Sequence, residues 1–261
     1  MSTVRTPWLN NYGDIPAKLE YKTGTMWEAV ADVAAEYPDY VAYAFMGRQT
    51  TYQKFARDVA ACAKSLKKIG INPGDRVTIC MPNCPQTVIM FYAVNVVGAV
   101  ANMVHPLSSE NEIAFYLNES KSIAAITLDQ FYGKFAAIRS KVNLANLIIA
   151  DVKDALSPLM KIGYSLTAGR KIPKVPDDAP VIRWNDFIRM GRSYTGEYKV
   201  KRDKLDPAVI LYSGGTTGIT KGILLSNLNF NALAAQIIAT NPVFRPGDSM
   251  LAVMPMFHGF G

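Results

Sequence analysis

Short apolar runs alternate with stretches of helical period from residue 76 to residue 150, and this alternation constrains the fold more than any other feature of the chain. Residues 76–81, 100–104, 124–128 and 147–150 read as strands. Residues 86–97, 109–119 and 130–141 read as the helices between them, the second opened by a capping box of Ser109 and Glu112. Strands that are almost wholly apolar need cover on both faces, and an intervening helix makes a parallel connection the simple one. The expected class is therefore α/β: a mostly parallel sheet flanked by helices on both faces.

The flanking segments add to this frame. Residues 2–25 read as an irregular surface arm with Pro7 and Pro16, and residues 26–36 as a helix capped by Thr25 with Trp27, Val30 and Ala34 on one face. Residues 41–45 and 49–52 read as a hairpin turning at Gly47 and Arg48. A helix then runs to Lys68, with Phe55, Val59, Cys62 and Leu66 turned inward and Gly70 as its stop. Residues 151–204 differ, being basic, weakly periodic and marked by Pro158, Pro173, Pro176 and Pro180. Within them residues 156–166 fit a short amphipathic helix, with Lys161, Arg170, Lys171 and Lys174 nearby. Peripheral contact with a membrane surface is one reading of that stretch; a solvated excursion over the sheet is the plainer one. Residues 181–190 read as a strand and a short helix anchored by Trp184 and Phe187. A helix capped by Ser226 or Asn227 runs to about Thr240, and a turn at Pro246-Gly247-Asp248 leads into a strand over 249–253.

The chemistry concentrates in AVILYSGGTTGITKG, Ala208 to Gly222. Its first four residues are an apolar run suited to a sheet interior. Ser213, Gly214, Gly215, Thr216, Thr217 and Gly218 follow, with almost no bulk. Glycine lets backbone N–H groups approach an anion, the hydroxyls add donors, and Lys221 adds a compact positive charge. Together they read as a cradle for a polyphosphate. It is not a Walker A loop, because Thr220 precedes the lysine and Gly222 follows it. Residues 223–225 look like a second strand, so the loop joins two strands. The bland alternative is a flexible turn with an incidental lysine. Six consecutive residues drawn only from Ser, Gly and Thr weigh against it.

Composition bounds the rest. The 261 residues suffice for one large or two modest domains, and 49% hydrophobic with 19% charged residues describes a globular chain. The net charge of +7 is spread without a lysine-rich block, which argues against a nucleic-acid partner. Cys62, Cys80 and Cys84 cannot all pair, and the N-terminus has no apolar signal core; free thiols in a cytoplasmic setting are expected. No apolar run is long enough for a transmembrane helix. Cys80, Cys84 and His105 make a weak case for a metal, and neither a G-x-S-x-G nor a G-x-G-x-x-G string is present.

SGGTTGITKG closely resembles the signature loop of the adenylate-forming enzymes: acyl-CoA synthetases, luciferases and peptide-synthetase adenylation domains. PMFHGFG, Pro255 to Gly261, is similar to that family's Pro-x-x-His-Gly segment. The likeness runs along the whole chain, through Thr50 to Phe55, INPGDRVTICMPN and FYAVNVVGAVANMVHPL. Gly214-Gly215, the opening around Pro7-Trp8 and the basic excursion look most like the long-chain fatty-acid branch.

The resemblance implies an ATP-dependent acyl-CoA ligase that uses ATP, Mg²⁺, CoA and a fatty acid. Ser213, Gly214, Gly215, Thr216, Thr217 and Gly218 would grip the phosphates, and Thr220, Lys221 and Gly222 would hold the pyrophosphate end. His258 would line the acyl and adenylate pocket, and His105 reads as structural. Asn227 stands where many members carry histidine, which leaves its role open. Adenine, ribose and metal-carboxylate segments, and the C-terminal catalytic lysine, lie later in the family than residue 261. The expected organisation is the N-terminal part of such an enzyme, inactive alone. Residues 1–70 would form the arm, first helix and hairpin, residues 71–240 the main subdomain, and residues 241–261 the start of a second subdomain. Exposed apolar surface and self-association would follow. A non-catalytic nucleotide- or acyl-binding module, and an adenylating enzyme that loads a carrier protein, remain as alternatives.

Overall fold

The computed structural model describes residues 6–213 and 220–259. After a short 3₁₀ turn at Pro7–Asn11, α1 spans Met26–Glu36. Thr25 Oγ1 accepts from the Glu28 N–H, and Glu28 returns the bond to the Thr25 N–H, a complete capping box. The strands β1 (Val41–Phe45) and β2 (Arg48–Thr51) form a separate antiparallel hairpin, and α2 (Tyr52–Lys68) starts directly from it with Thr51 as cap.

The alternating unit follows: β3 (Arg76–Cys80), α3 (Pro85–Val96), β4 (Val100–Met103), α4 (Glu110–Ser120), β5 (Ala124–Leu128), α5 (Tyr132–Ala137) and β6 (Asn146–Ala150). Then come α6 (Pro158–Leu166), β7 (Ile182–Arg183), α7 (Trp184–Arg192), β8 (Pro207–Ser213), β9 (Lys221–Ser226) and α8 (Asn227–Thr240). Among the described residues, seven strands form one sheet in the order β7-β6-β5-β3-β4-β8-β9, parallel except for the β8–β9 pair.

Strand periodicity sorts the two cores. Val77, Ile79, Ala124, Ile126, Leu128, Ile148 and Val209 face the cluster that holds α1, α2, α3 and α7. Cys80, Ala125, Leu147 and Ile149 face the opposite cluster, closed by Ile113 and Leu117 of α4 and Phe135 of α5. The first cluster is stitched by edge-to-face rings, with Phe55 against Trp27, Tyr43 and Tyr92 at 5.6–6.1 Å between centroids. The second holds a polar ladder. Asn102 Nδ2 donates to Thr78 Oγ1 and Ser120 Oγ, and Thr78 Oγ1 donates to Ser122 Oγ.

The crossing of α2 and α7 depends on one small residue. A Cβ on Gly191 would lie 1.9 Å from the Ala61 carbonyl oxygen and 2.4 Å from Ser65 Oγ. The same Ser65 hydroxyl donates to the Phe187 carbonyl, tying the two helices.

Two expectations fail. The helix over 130–141 is broken into 3₁₀ turns at Asp129–Phe131 and Arg139–Lys141 around α5. Gly133 lowers local helix propensity, and burying both Phe135 and Ile138 bends the path into the core. The strand over 249–253 does not form; those residues are irregular, with Met250, Leu251 and Val253 exposed. A strand needs a partner, and among the described residues none runs beside it. Elsewhere boundaries shift by a residue or two; α6 starts at Pro158, with Ser157 as cap and proline in the first turn.

Candidate active site

The signature loop hangs between β8 and β9. The apolar run of Ala208 to Leu211 pairs in parallel with β4 and antiparallel with β9, so it is held on both sides. Register sets Ser213 opposite Lys221 and Tyr212 opposite Gly222. The hairpin thus places a hydroxyl and an ammonium at the foot of one loop, with Thr220 half-buried and Lys221 exposed. Gly214, Gly215, Thr216, Thr217 and Gly218 lie outside the described residues.

Tyr212, the cross-strand partner of Gly222, is tied to α4 through Tyr116. Its ring sits 4.2 Å from that of Tyr116, and its hydroxyl donates to the Tyr116 carbonyl at 3.3 Å. Partial burial raises the phenol to about 12. On the neighbouring strand, a Cβ at Gly222 would come within 3.2 Å of the Tyr212 ring and of Ile210 Cγ2. A side chain at the position after the lysine would therefore make the Tyr212 ring and Ile210 give way by a few tenths of an ångström.

His258 arrives by a different route. Its segment is pinned across the carboxyl ends of β3 and β4. Asn83, just after β3, donates from Nδ2 to the carbonyls of Ala252 (3.0 Å) and Met254 (2.8 Å), and its Oδ1 accepts from the Met256 N–H at 2.9 Å. Phe257 packs on the His105 ring at 4.3 Å, while His105 Nδ1 accepts from the Leu107 N–H. Asn83 therefore clamps the segment by three bonds, a role with no local signal, since the partners lie about 170 residues away.

The two motifs meet at a cavity of about 340 Å³. Val88, Phe91, Met103, Leu211, Phe230 and His258 are among its lining residues, and Leu211 precedes Ser213 by two positions. The cavity is mainly apolar, with Thr87, Asn231 and His258 as polar members of its lining, as suits an alkyl or aryl group with one polar end. It lies beside the carboxyl ends of parallel strands, the usual ligand side of an open α/β sheet.

Asn227 belongs elsewhere. It is buried, and its Oδ1 accepts from the Met26 N–H and from Asn95 Nδ2, at 3.1 and 2.8 Å. Asn95 Oδ1 in turn accepts from the Trp27 N–H. These amides satisfy the open donors at the start of α1 and join α1, α3 and α8. The three cysteines are buried thiols, with Cys80 raised to about 12 by burial. Among the described residues no group of three His, Cys, Asp or Glu could hold a metal ion, and no helix is long and apolar enough to cross a membrane.

A family pattern described as AMP-binding enzyme matches residues 30–261. The chain belongs to the AMP-binding enzyme family. A long-chain-fatty-acid–CoA ligase of Bacillus subtilis (strain 168) is 31% identical over 269 residues, covering 98% of this chain and 46% of the relative. One from Salmonella typhimurium is 29% identical over 269 residues, covering 98% and 47%. The chain spans about half the length of the curated relatives it matches. The crystal structure of a long-chain-fatty-acid-CoA ligase from Archaeoglobus fulgidus superposes with a TM-score of 0.72 over 92% of this chain and 44% of that one. At 20% identity that likeness establishes the shared fold. AMP-binding enzymes that are acyl-CoA ligases use ATP, Mg²⁺ and CoA.

Proposed function

We propose that this chain supplies the nucleotide-loop and acyl-pocket half of an ATP-dependent acyl-CoA ligase acting on long-chain fatty acids. The observation that carries the reading is the adjacency of two unlike sites. Ser213 and Lys221 are cross-strand partners at the foot of the loop, and Leu211, two residues before Ser213, lines the apolar cavity that also holds His258. In the proposed organisation, residues 1–70 form the arm, helix and hairpin, residues 71–240 the main subdomain, and residues 241–261 open a second one.

The donor set suits ATP. A fatty carboxylate oxygen attacks the α-phosphorus, and the bond to the bridging oxygen breaks, its electron pair leaving with pyrophosphate. Charge builds on the phosphoryl oxygens and the leaving group, and an ammonium with hydroxyl and backbone donors stabilises that charge. Ser213, Gly214, Gly215, Thr216, Thr217 and Gly218 are assigned to the phosphates; Thr220, Lys221 and Gly222 are assigned to the departing pyrophosphate. His258 lines the pocket at its polar end. The CoA sulfur then attacks the acyl carbon, the carbon–oxygen bond to AMP breaks, and the thiol proton passes to solvent. The described residues carry no carboxylate cluster for Mg²⁺, and no step is assigned through it.

Carboxylate-dependent exchange of pyrophosphate into ATP tests the reading in the enzyme that carries this chain. Exchange that grows with fatty-acid chain length, followed by thioester formation on CoA, is expected. Failure to exchange with any fatty acid overturns it. Thioester formation on a carrier protein but not on CoA reassigns the acceptor.

A further inference from the structure

A second cavity, of about 430 Å³, is bounded by a different face of α3 from the one that meets His258. Pro85, Gln86 and Ile89 line it, whereas Val88 and Phe91 line the other, and no described residue lines both. The β1–β2 hairpin, the first turns of α2 and the helix α7 complete its wall. Buried side chains, Thr50, Gln86 and Trp184, form its inner side. Exposed ones, Arg48, Arg189 and Arg192, form its mouth.

The charge at the mouth is positive and only partly compensated. Lys54 is paired with Asp58 at 2.5 Å, and Arg189 with Asp186 at 2.9 Å. Asp154 already accepts from the Asp151 N–H and from Asn185 Nδ2. Arg48 and Arg192 have no ion pair among the described residues. Arg48 reaches only the Ala155 and Leu156 carbonyls, at 3.4 and 3.5 Å. Two open guanidinium forks at one mouth suit a phosphate, which each can grip by two parallel bonds. Further in, the wall offers acceptors. Gln86 is 1% exposed; its Nε2 donates to the Asp151 carbonyl, and its Oε1 is an acceptor without a partner among the described residues. The carboxylates of Asp58 and Asp154 keep further lone pairs. A buried acceptor left unmade is costly, and hydroxyl groups on a ligand are donors of the right kind for such a wall. An acyl chain suits it poorly.

We propose that this cavity binds a small hydroxyl-bearing phosphate ester, of the class of a sugar phosphate. Arg48 and Arg192 hold the phosphate, and the hydroxyl groups turn toward Gln86 and Asp154. The site shares no residue with the phosphate loop or the acyl cavity, so it stands or falls independently of the ligase reading.

Isothermal titration of the 261-residue chain with glucose 6-phosphate, glucose and inorganic phosphate tests it. Glucose 6-phosphate should bind about tenfold more tightly than either part alone, because the contacts of head and body are then joined. Arg48→Gln with Arg192→Gln should weaken it about tenfold or more, the scale for two lost charge-assisted contacts. Both arginines are exposed, so thermal melting of the double variant should match the parent. Arg57→Gln and Lys221→Ala, both outside the cavity, should leave the affinity unchanged. Equal affinity for glucose 6-phosphate and inorganic phosphate overturns the proposal, as does undiminished binding by the double variant or no binding at all. Loss of binding in Lys221→Ala also overturns it, because the ligand would then sit at the phosphate loop.

Discussion

Lys221 stands opposite Ser213 on paired strands, with its ammonium in solvent. An exposed lysine beside a glycine-rich loop contributes little to packing, so its charge can be removed without disturbing the sheet. Lys221→Ala should slow pyrophosphate exchange roughly 100-fold, the scale for losing one pre-placed donor to a developing anion, while the melting temperature stays unchanged. An unaltered exchange rate would remove the role assigned to it. Asn227 is the opposite case. Its amide closes bonds to Met26 and Asn95 in the interior. Asn227→Ala should therefore cost about 2 kcal/mol in urea unfolding, because buried donors lose their acceptor. Paired with Asn95→Ala, the two losses should fall short of additive, since they share one bond.

At the scale of elements, the hairpin of β8 and β9 is the unit that matters for the site. Its register fixes which residues flank the loop, and the Tyr212 ring packs close over Gly222 on the neighbouring strand. The α2–α7 pair carries a comparable constraint away from the site. Gly191→Ala would drive a methyl group into the Ala61 carbonyl, so α7 must shift outward. A destabilisation of about 3 kcal/mol is expected in denaturant unfolding, the upper range for overpacking, because the obstruction is backbone. A change near zero would mean that the two helices slide apart freely. The segment carrying His258 behaves differently again. It has no regular structure, and three bonds from Asn83 hold it in place of a ladder.

Across the whole molecule, covered and bare faces are unevenly divided. The central strands β3, β4, β5 and β6 are almost wholly buried, whereas β9 forms a sheet edge with Ile223 and Leu224 exposed. Beyond it, Ile237 and Ile238 of α8 and the irregular Val243, Met250, Leu251 and Val253 are also exposed. We propose that this chain by itself self-associates through that end, since an open edge beside apolar surface invites pairing. Sedimentation velocity should show mass rising with concentration. Glutamate at Leu251 and Val253 should reduce it, and a monomer at every concentration would refute it.

Much of this architecture was legible because it is local. The alternation over 76–150, the caps at Thr25 and Ser109, and the strand, loop and lysine of 208–222 are each written in neighbouring residues. Such signals settle which elements form, and they mark the loop to which phosphate binding is assigned in the proposed function. They misjudged 130–141 and 249–253, where burial at Phe135 and Ile138 or the want of a pairing strand outweighed propensity. Only the tertiary structure decided what depends on distant partners. It made Asn83 a clamp on a segment some 170 residues later, turned Asn227 into an internal tie, and brought Leu211 and His258 to one cavity. It also turned the apolar face of α6 outward. The physical reason is the same throughout: periodicity and capping act over a few residues, whereas burial and hydrogen-bond completion are properties of the packed whole.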